Sequence, residues 1–201
     1  MTTIIKEIYC LLFRVGHGTY LWKKKFGSFG KRTSIAYPAF VTHRECIFIG
    51  ANTVILKWSR IQNFNPQDHR SISASGCKIV IGDRCYIGFH FTILNASQIT
   101  IGNDVLIASQ VIITSENHGI NPESDIPYMN QPLESRNVEI CDGCWIGEKV
   151  CIMPGVKIGK KSIIGAGSIV VRSIPDYCIA AGNPAKVIKK YNFETHNWEK
   201  V

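Results

Sequence analysis

The sequence predicts an all-β fold, a prism wound from short parallel strands, and three observations predict it. Isoleucine or valine returns every six residues: at Ile49, Ile55 and Ile61; at Ile81, Ile87, Ile93 and Ile99; at Ile101, Ile107 and Ile113; and from Ile140 through Ile146, Ile152, Ile158 and Ile164 to Val170. The next residue is often Gly or Ala, as in IGANTV, IGDRCY, IGNDVL, IGEKVC and IGAGSI. The fifth residue of a block is small or medium: Thr53, Cys85, Val105, Cys144, Val150, Ser162 and Ser168.

A helix does not keep this beat, because six residues at about 100° each leave its face turned by about 240°. Short strands that turn a corner after each block do keep it. Three blocks make one triangular coil of about 18 residues, and successive coils stack with parallel strands. Each apolar residue then points inward and lies over the one about 18 residues away. Glycine suits the tight bend beside it, and the small fifth residue also faces inward, near a corner.

In chain order, residues 1–32 form an N-terminal segment. Ile4, Ile5, Ile8, Leu11, Leu12 and Val15 recur at helical spacing, so a helix is expected there. Lys6, Glu7 and Arg14 interrupt any clean apolar core of a secretory signal. No apolar run reaches the roughly 18 residues of a spanning helix, so a cytoplasmic location is expected. Lys6, Arg14 and Lys23 to Lys25 also allow residues 1–25 to lie peripherally on anionic lipid.

Residues 33–188 carry the repeat as one domain, which suits a chain of 201 residues. With 45% hydrophobic and 19% charged residues, the chain can bury a core without disulfides or metals. A net charge of +8 favours anionic partners. The basic residues are scattered, apart from Lys23 to Lys25 and the run of Lys186, Lys189 and Lys190, and no groove-reading motif appears, so nucleic acid is not an expected partner. CDGC, with Cys141 and Cys144, has the spacing of a redox or zinc half-site, but no second CxxC accompanies it. Cys85 and Cys144 fall on the inward fifth place, where a buried cysteine serves as a small hydrophobe. No metal is expected.

The beat stops over residues 114–137. The stretch SENHGINPESDIPYMNQPLESRN exceeds the roughly 12–15 residues usual for a structureless loop, which marks it as functional or disordered. Pro122, Pro127 and Pro132 stiffen it, and His118 stands near its start. A loop histidine either caps a turn or moves a proton, and the residues alone leave both open. Farther on, Gly182, Asn183 and Pro184 make a turn. A short helix near the C-terminus and a basic tail over 189–201 are expected.

The six-residue pattern resembles that of the hexapeptide-repeat acyltransferases, [LIV]-[GAED]-x-x-[STAV]-x. AGNPAKVIK, with IGAGSIVVRSIP before it, is similar to the closing signature of one branch, the sugar and xenobiotic O-acetyltransferases related to the galactoside and maltose enzymes. The resemblance implies a left-handed parallel β-helix assembled as a homotrimer. Physics alone would favour the right-handed crossover. It implies acetyl-CoA as co-substrate, bound between subunits, and a loop histidine as catalytic base reaching across a subunit boundary, here His118.

Further residues follow from the same resemblance. Trp145 would line the acetyl end of the coenzyme channel. Gly147, Ala166 and Ser168 would bring backbone close to the pantetheine arm. Lys186, and less strongly Arg172 and Lys189, would meet the nucleotide phosphates. Asn95 and His90 fall in the acceptor region. There Asn95 replaces an acidic residue, Ala96 a second one and Gly88 an asparagine, so the acceptor differs from that of the galactoside and maltose enzymes. A sugar of a cell-surface polysaccharide, or its nucleotide- or lipid-linked precursor, is expected. An N-acetyltransferase or serine-type acetyltransferase of the same fold stays open, as does a non-catalytic scaffold. A γ-class carbonic anhydrase needs a His-x4-His pair, which His17, His43, His69, His90, His118 and His196 do not supply.

Overall fold

The computed structural model describes residues 25–64 and 77–201. The N-terminal helix, and all but Lys25 of the segment 1–25 expected to contact lipid, fall outside the described residues. Three sheets enclose one core. The first holds Ser28–Phe29, Ile47–Ile49, Lys78–Ile81, Gln98–Ile101, Val138–Ile140 and Lys157–Ile158. The second runs from Ser34–Ile35 through Val54–Ile55, Tyr86–Ile87, Leu106–Ile107, Trp145–Ile146 and Ile163–Ile164 to Cys178–Gly182. The third holds Ala39–Val41, Ser59–Asn63, Thr92–Asn95, Ile112–Thr114, Cys151–Ile152 and Ile169–Val170. Ser28–Phe29 already pairs with Phe48–Ile49, so the coils begin ahead of the boundary at residue 33.

Inside the prism the apolar residues stack in columns. Ile49, Ile81, Ile101, Ile140 and Ile158 lie over one another, and all are buried. Each such side chain contributes about 1.5–3 kcal/mol by leaving water. The 18-residue step holds only late in the chain, where Ile158 lies over Ile140. Earlier coils are longer: Ile101 lies over Ile81, 20 residues on. The extra pair of residues is spent at the corner between the third and first faces. There Asn63, Asn95 and Ser115 also turn inward and are buried.

The polar residue two places after the corner isoleucine has a structural task. Asp83 Oδ1 accepts the Ala51 N–H at 2.6 Å, Asn103 Oδ1 the Asp83 N–H at 2.8 Å, and Asp142 Oδ1 the Asn103 N–H at 2.6 Å. These side chains pair backbone donors that a tight corner leaves without a strand partner. Gly82 and Gly102 permit the approach, since a Cβ on Gly102 would stand 2.3 Å from Asp142 Oδ1.

The expected C-terminal helix is absent. Ala185–Asn192 and Asn197–Lys200 are antiparallel strands that extend the second sheet from Cys178–Gly182. Among the described residues there is no α-helix. Ala185 and Val187 pack on the core at the end of the prism, and Tyr177, Tyr191, Phe193 and Trp198 form edge-to-face ring pairs beyond them. Cross-strand aromatic contacts and alternate-residue burial favour strand over helix here.

Candidate active site

The interruption at 114–137 is a built hairpin. Glu116–His118 pairs antiparallel with Leu133–Ser135, placing His118 opposite Leu133 and Asn117 opposite Glu134. A 3₁₀ turn, Tyr128–Asn130, follows Pro127. The root is fixed at both strands. Ser115 is the last residue still inside the prism; its N–H donates to Leu94 O at 3.0 Å and its carbonyl accepts the Arg136 N–H at 2.8 Å. On the returning strand Asn137 Oδ1 accepts from the Ser97 hydroxyl and, at 3.2 Å, from the Gln98 N–H.

His118 is exposed on this hairpin. It lines an open pocket of about 400 Å³ together with Asn117, Gly119, Ile120, Tyr128 and Glu134. No residue of the second face lines it. The hairpin leaves the prism at the corner between the third and first faces, whereas Trp145 stands on the second.

On that second face Trp145, Ile163, Ile179 and Lys189 form one outward column. Trp145 is half exposed. Three strand spacings of about 4.8 Å separate it from Lys189, roughly 14 Å in all. Lys186 lies opposite Ala181 and Lys189 opposite Ile179, both outward places of the neighbouring strand. Strict alternation would put two residues three apart on opposite sides. The register shift at Ile179/Ala180 turns Lys189 to the same side, as a bulge re-aims a side chain.

Gly147 is buried beneath the exposed Ala166: a Cβ on Gly147 would stand 2.7 Å from Ala166 N. The two therefore adjoin, as expected. Ser168 is buried, its hydroxyl donating to Gly165 O at 2.6 Å and accepting the Gly182 N–H at 3.1 Å, so only its backbone remains to face a ligand. Arg172 is exposed in the turn after Ile169–Val170.

The structure places the two expected acceptor residues, Asn95 and His90, apart from each other. Asn95 is fully buried inside the prism, with Nδ2 donating to Asn63 Oδ1 at 2.8 Å and Oδ1 accepting from the Ser115 hydroxyl at 2.6 Å. Its amide is committed to that ladder. His90 is exposed at the opposite end of the third face, where its ring lies parallel to that of Trp58 with centroids 6.2 Å apart. Within one chain it does not join the hairpin root. Cys144 is buried and donates to Gly159 O at 3.0 Å, and burial pushes its thiol up to about 12. Among the described residues no three His, Cys, Asp or Glu side chains gather as a metal site.

Sequence reasoning missed Tyr128, Asn117 and Glu134 beside His118, and Trp58 beside His90. The three pocket residues come together through hairpin pairing and the turn after Pro127, and the loop's prolines were the one signal of that order. Trp58 and His90 lie at the same corner of successive coils, both at positive φ, and the repeat spacing could have found them.

A model of the bacterial transferase hexapeptide family, built on six repeats, matches residues 137–172. The WbbJ protein of Escherichia coli K12, whose name describes a lipopolysaccharide biosynthesis O-acetyl transferase, is 44% identical over 174 residues, 83% of each chain. Galactoside O-acetyltransferase of Escherichia coli K12 is 41% identical over 117 residues, 58% of this chain and 56% of that one. AntD, an N-acyltransferase from Bacillus cereus solved with dTDP and 3-hydroxybutyryl-CoA, superposes with a TM-score of 0.72 at 23% identity, over 89% of this chain and 90% of its own. At that identity the likeness shows the fold, the left-handed parallel β-helix.

Proposed function

Because the chain belongs to the hexapeptide-repeat acyltransferases, we propose that it is an acetyl-CoA-dependent O-acetyltransferase acting on a sugar hydroxyl of a cell-surface polysaccharide or its precursor. The observation that carries this reading is His118, held on a hairpin anchored at both roots and opening onto a pocket. The names of the relatives supply the acetyl group and the glycan.

In this reading the His118 imidazole takes the proton of the acceptor hydroxyl as its oxygen attacks the thioester carbonyl. The C–O bond forms, the tetrahedral centre collapses, and the C–S bond breaks. Coenzyme A leaves as thiolate and takes up the proton. A histidine suits the step because its unperturbed pKa lies near neutrality. Coenzyme A runs along the outward column of the second face, with its thioester near Trp145 and its phosphates near Lys186 and Lys189. Gly147 and Ala166 let the arm lie close to the backbone, and Arg172 is a further phosphate partner. His118 and Trp145 belong to different faces, so one complete site takes its hairpin from one subunit and its wall from another, as in a homotrimer. His90 and Trp58 line the acceptor side of that junction.

The test is transfer of radiolabelled acetyl from acetyl-CoA to a panel of sugars, nucleotide sugars and amino sugars. Wild type should label a hydroxyl, and His118→Ala should lose roughly 10²–10⁴-fold of that rate with unchanged secondary structure. Labelling of amines alone would move the acceptor to nitrogen. An undiminished His118→Ala rate would remove the base from the scheme.

A further inference from the structure

Between residues 116 and 137 only Gly119 and Gln131 are buried. The hairpin tip has no apolar core of its own, and Gln131 takes that place. It is 4% exposed. Its Oε1 accepts the Asn121 N–H at 3.0 Å, and its Nε2 donates to Asn121 O and to Ile126 O, each at 3.0 Å. One side-chain amide thus ties both strands of the tip together. It also lies against Gly119, the neighbour of His118: a Cβ on Gly119 would stand 2.9 Å from Gln131 Cβ and 3.0 Å from its Oε1. The Gly119 N–H donates to Pro132 O at 3.0 Å, next to Gln131 in the chain.

We propose that Gln131 is a positioning residue for His118, the lock that fixes the imidazole by holding Gly119 and the tip beside it. The inference rests on reading His118 as the base. The residue type follows from the task. The site needs two donors and one acceptor from a single group, which an amide offers and a carboxylate does not. Asparagine, one methylene shorter, cannot span the same three partners. No other buried side chain of the hairpin supports the backbone there, so this amide is the buried side-chain tie that joins the tip beyond the Gly119–Pro132 backbone bond. The prism's columns lie outside it, and loss of Gln131 loosens the tip without unfolding the coils.

The experiment uses the full chain with carbon-13-labelled histidine. The His118 imidazole signal is assigned with His118→Asn. In Gln131→Ala that signal should move or broaden, and exchange of the Gly119 amide should rise at least tenfold. The signals of His43 and His90, the melting midpoint and the calorimetric affinity for acetyl-CoA should hold. Gly119→Ala, which presses on the same contact from the other side, should disturb the same histidine signal. An unchanged His118 signal and unchanged Gly119 exchange in Gln131→Ala would overturn the proposal. So would movement of all the histidine signals with a lowered midpoint, which is a general structural role. Neither result bears on the base itself: His118→Ala in the transfer assay decides that separately.

Discussion

Ser115 donates its hydroxyl to Oδ1 of Asn95 at 2.6 Å inside the prism, and the same serine oxygen accepts the Ala96 N–H at 3.1 Å. The buried ladder that lengthens the early coils therefore ends at the residue from which the His118 hairpin departs. The strand that carries the base leaves the core from Ser115, which is hydrogen-bonded through its N–H, its carbonyl and its hydroxyl.

Ser115→Ala leaves the buried Ala96 N–H without its acceptor. The expected cost is about 1–3 kcal/mol, the usual range for an unsatisfied buried group, read as a lower urea midpoint at unchanged slope. Asn95→Ala should also cost stability. A variant that kept its midpoint and lost only acceptor affinity would return Asn95 to the acceptor pocket.

Lys186 and Lys189 reach one side of the second sheet because of the register shift at Ile179/Ala180. If both meet coenzyme A phosphates, each change to Ala should weaken acetyl-CoA roughly tenfold, since a charge-assisted hydrogen bond carries about 1.5–3 kcal/mol. The loss should shrink as salt rises. Titration calorimetry at two ionic strengths reads both effects.

Gly147 has no room for a side chain: its Cβ would meet Ala166 N at 2.7 Å and Ile164 O at 2.8 Å, both backbone atoms that cannot swing away. Gly147→Val should therefore destabilise by about 1–3 kcal/mol or more, as overpacking does, and should push the turn at Ala166 outward, into the groove proposed for the coenzyme. Thermal unfolding and acetyl-CoA affinity should fall together.

Cys144 gives a pH prediction. Burial raises its thiol from 9.0 to about 12, so the unfolded chain ionises it first. The unfolded state then binds fewer protons, and stability falls as pH rises. The contribution is whole below pH 9 and is lost progressively toward pH 12. Cys144→Ser should soften the alkaline decline at little cost, because Ser162 and Ser168 already occupy the equivalent inward place. Cys46, Cys77, Cys85, Cys141, Cys151 and Cys178, also raised by burial, keep part of the decline. Urea midpoints measured from pH 9.0 upward follow it.

The prism was legible because a period of six admits no helix, and every column isoleucine from Ile49 to Val170 is found inside. The 20-residue coils were visible as the jump from Ile99 to Ile101, yet the period alone does not say which corner holds the extra pair. Asn95 was set in the acceptor region by the family resemblance, and the longer coil turns its side chain inward. The C-terminal strands were missed because AKVIKKY reads equally as helix or strand by periodicity, and packing on the prism's open end decided it. His118 was legible from the interruption. Its pocket partners were not, since hairpin register and the tip fold bring them together.

The most direct test of the central claim is titration calorimetry of the purified chain with acetyl-CoA, and with the analogue lacking the 3′-phosphate. The account predicts saturable binding near one site per chain, weakened for the analogue and weakened again by Lys189→Ala. No heat of binding at millimolar acetyl-CoA would contradict it and would take the donor, and with it the transferase reading of the His118 hairpin, out of the account.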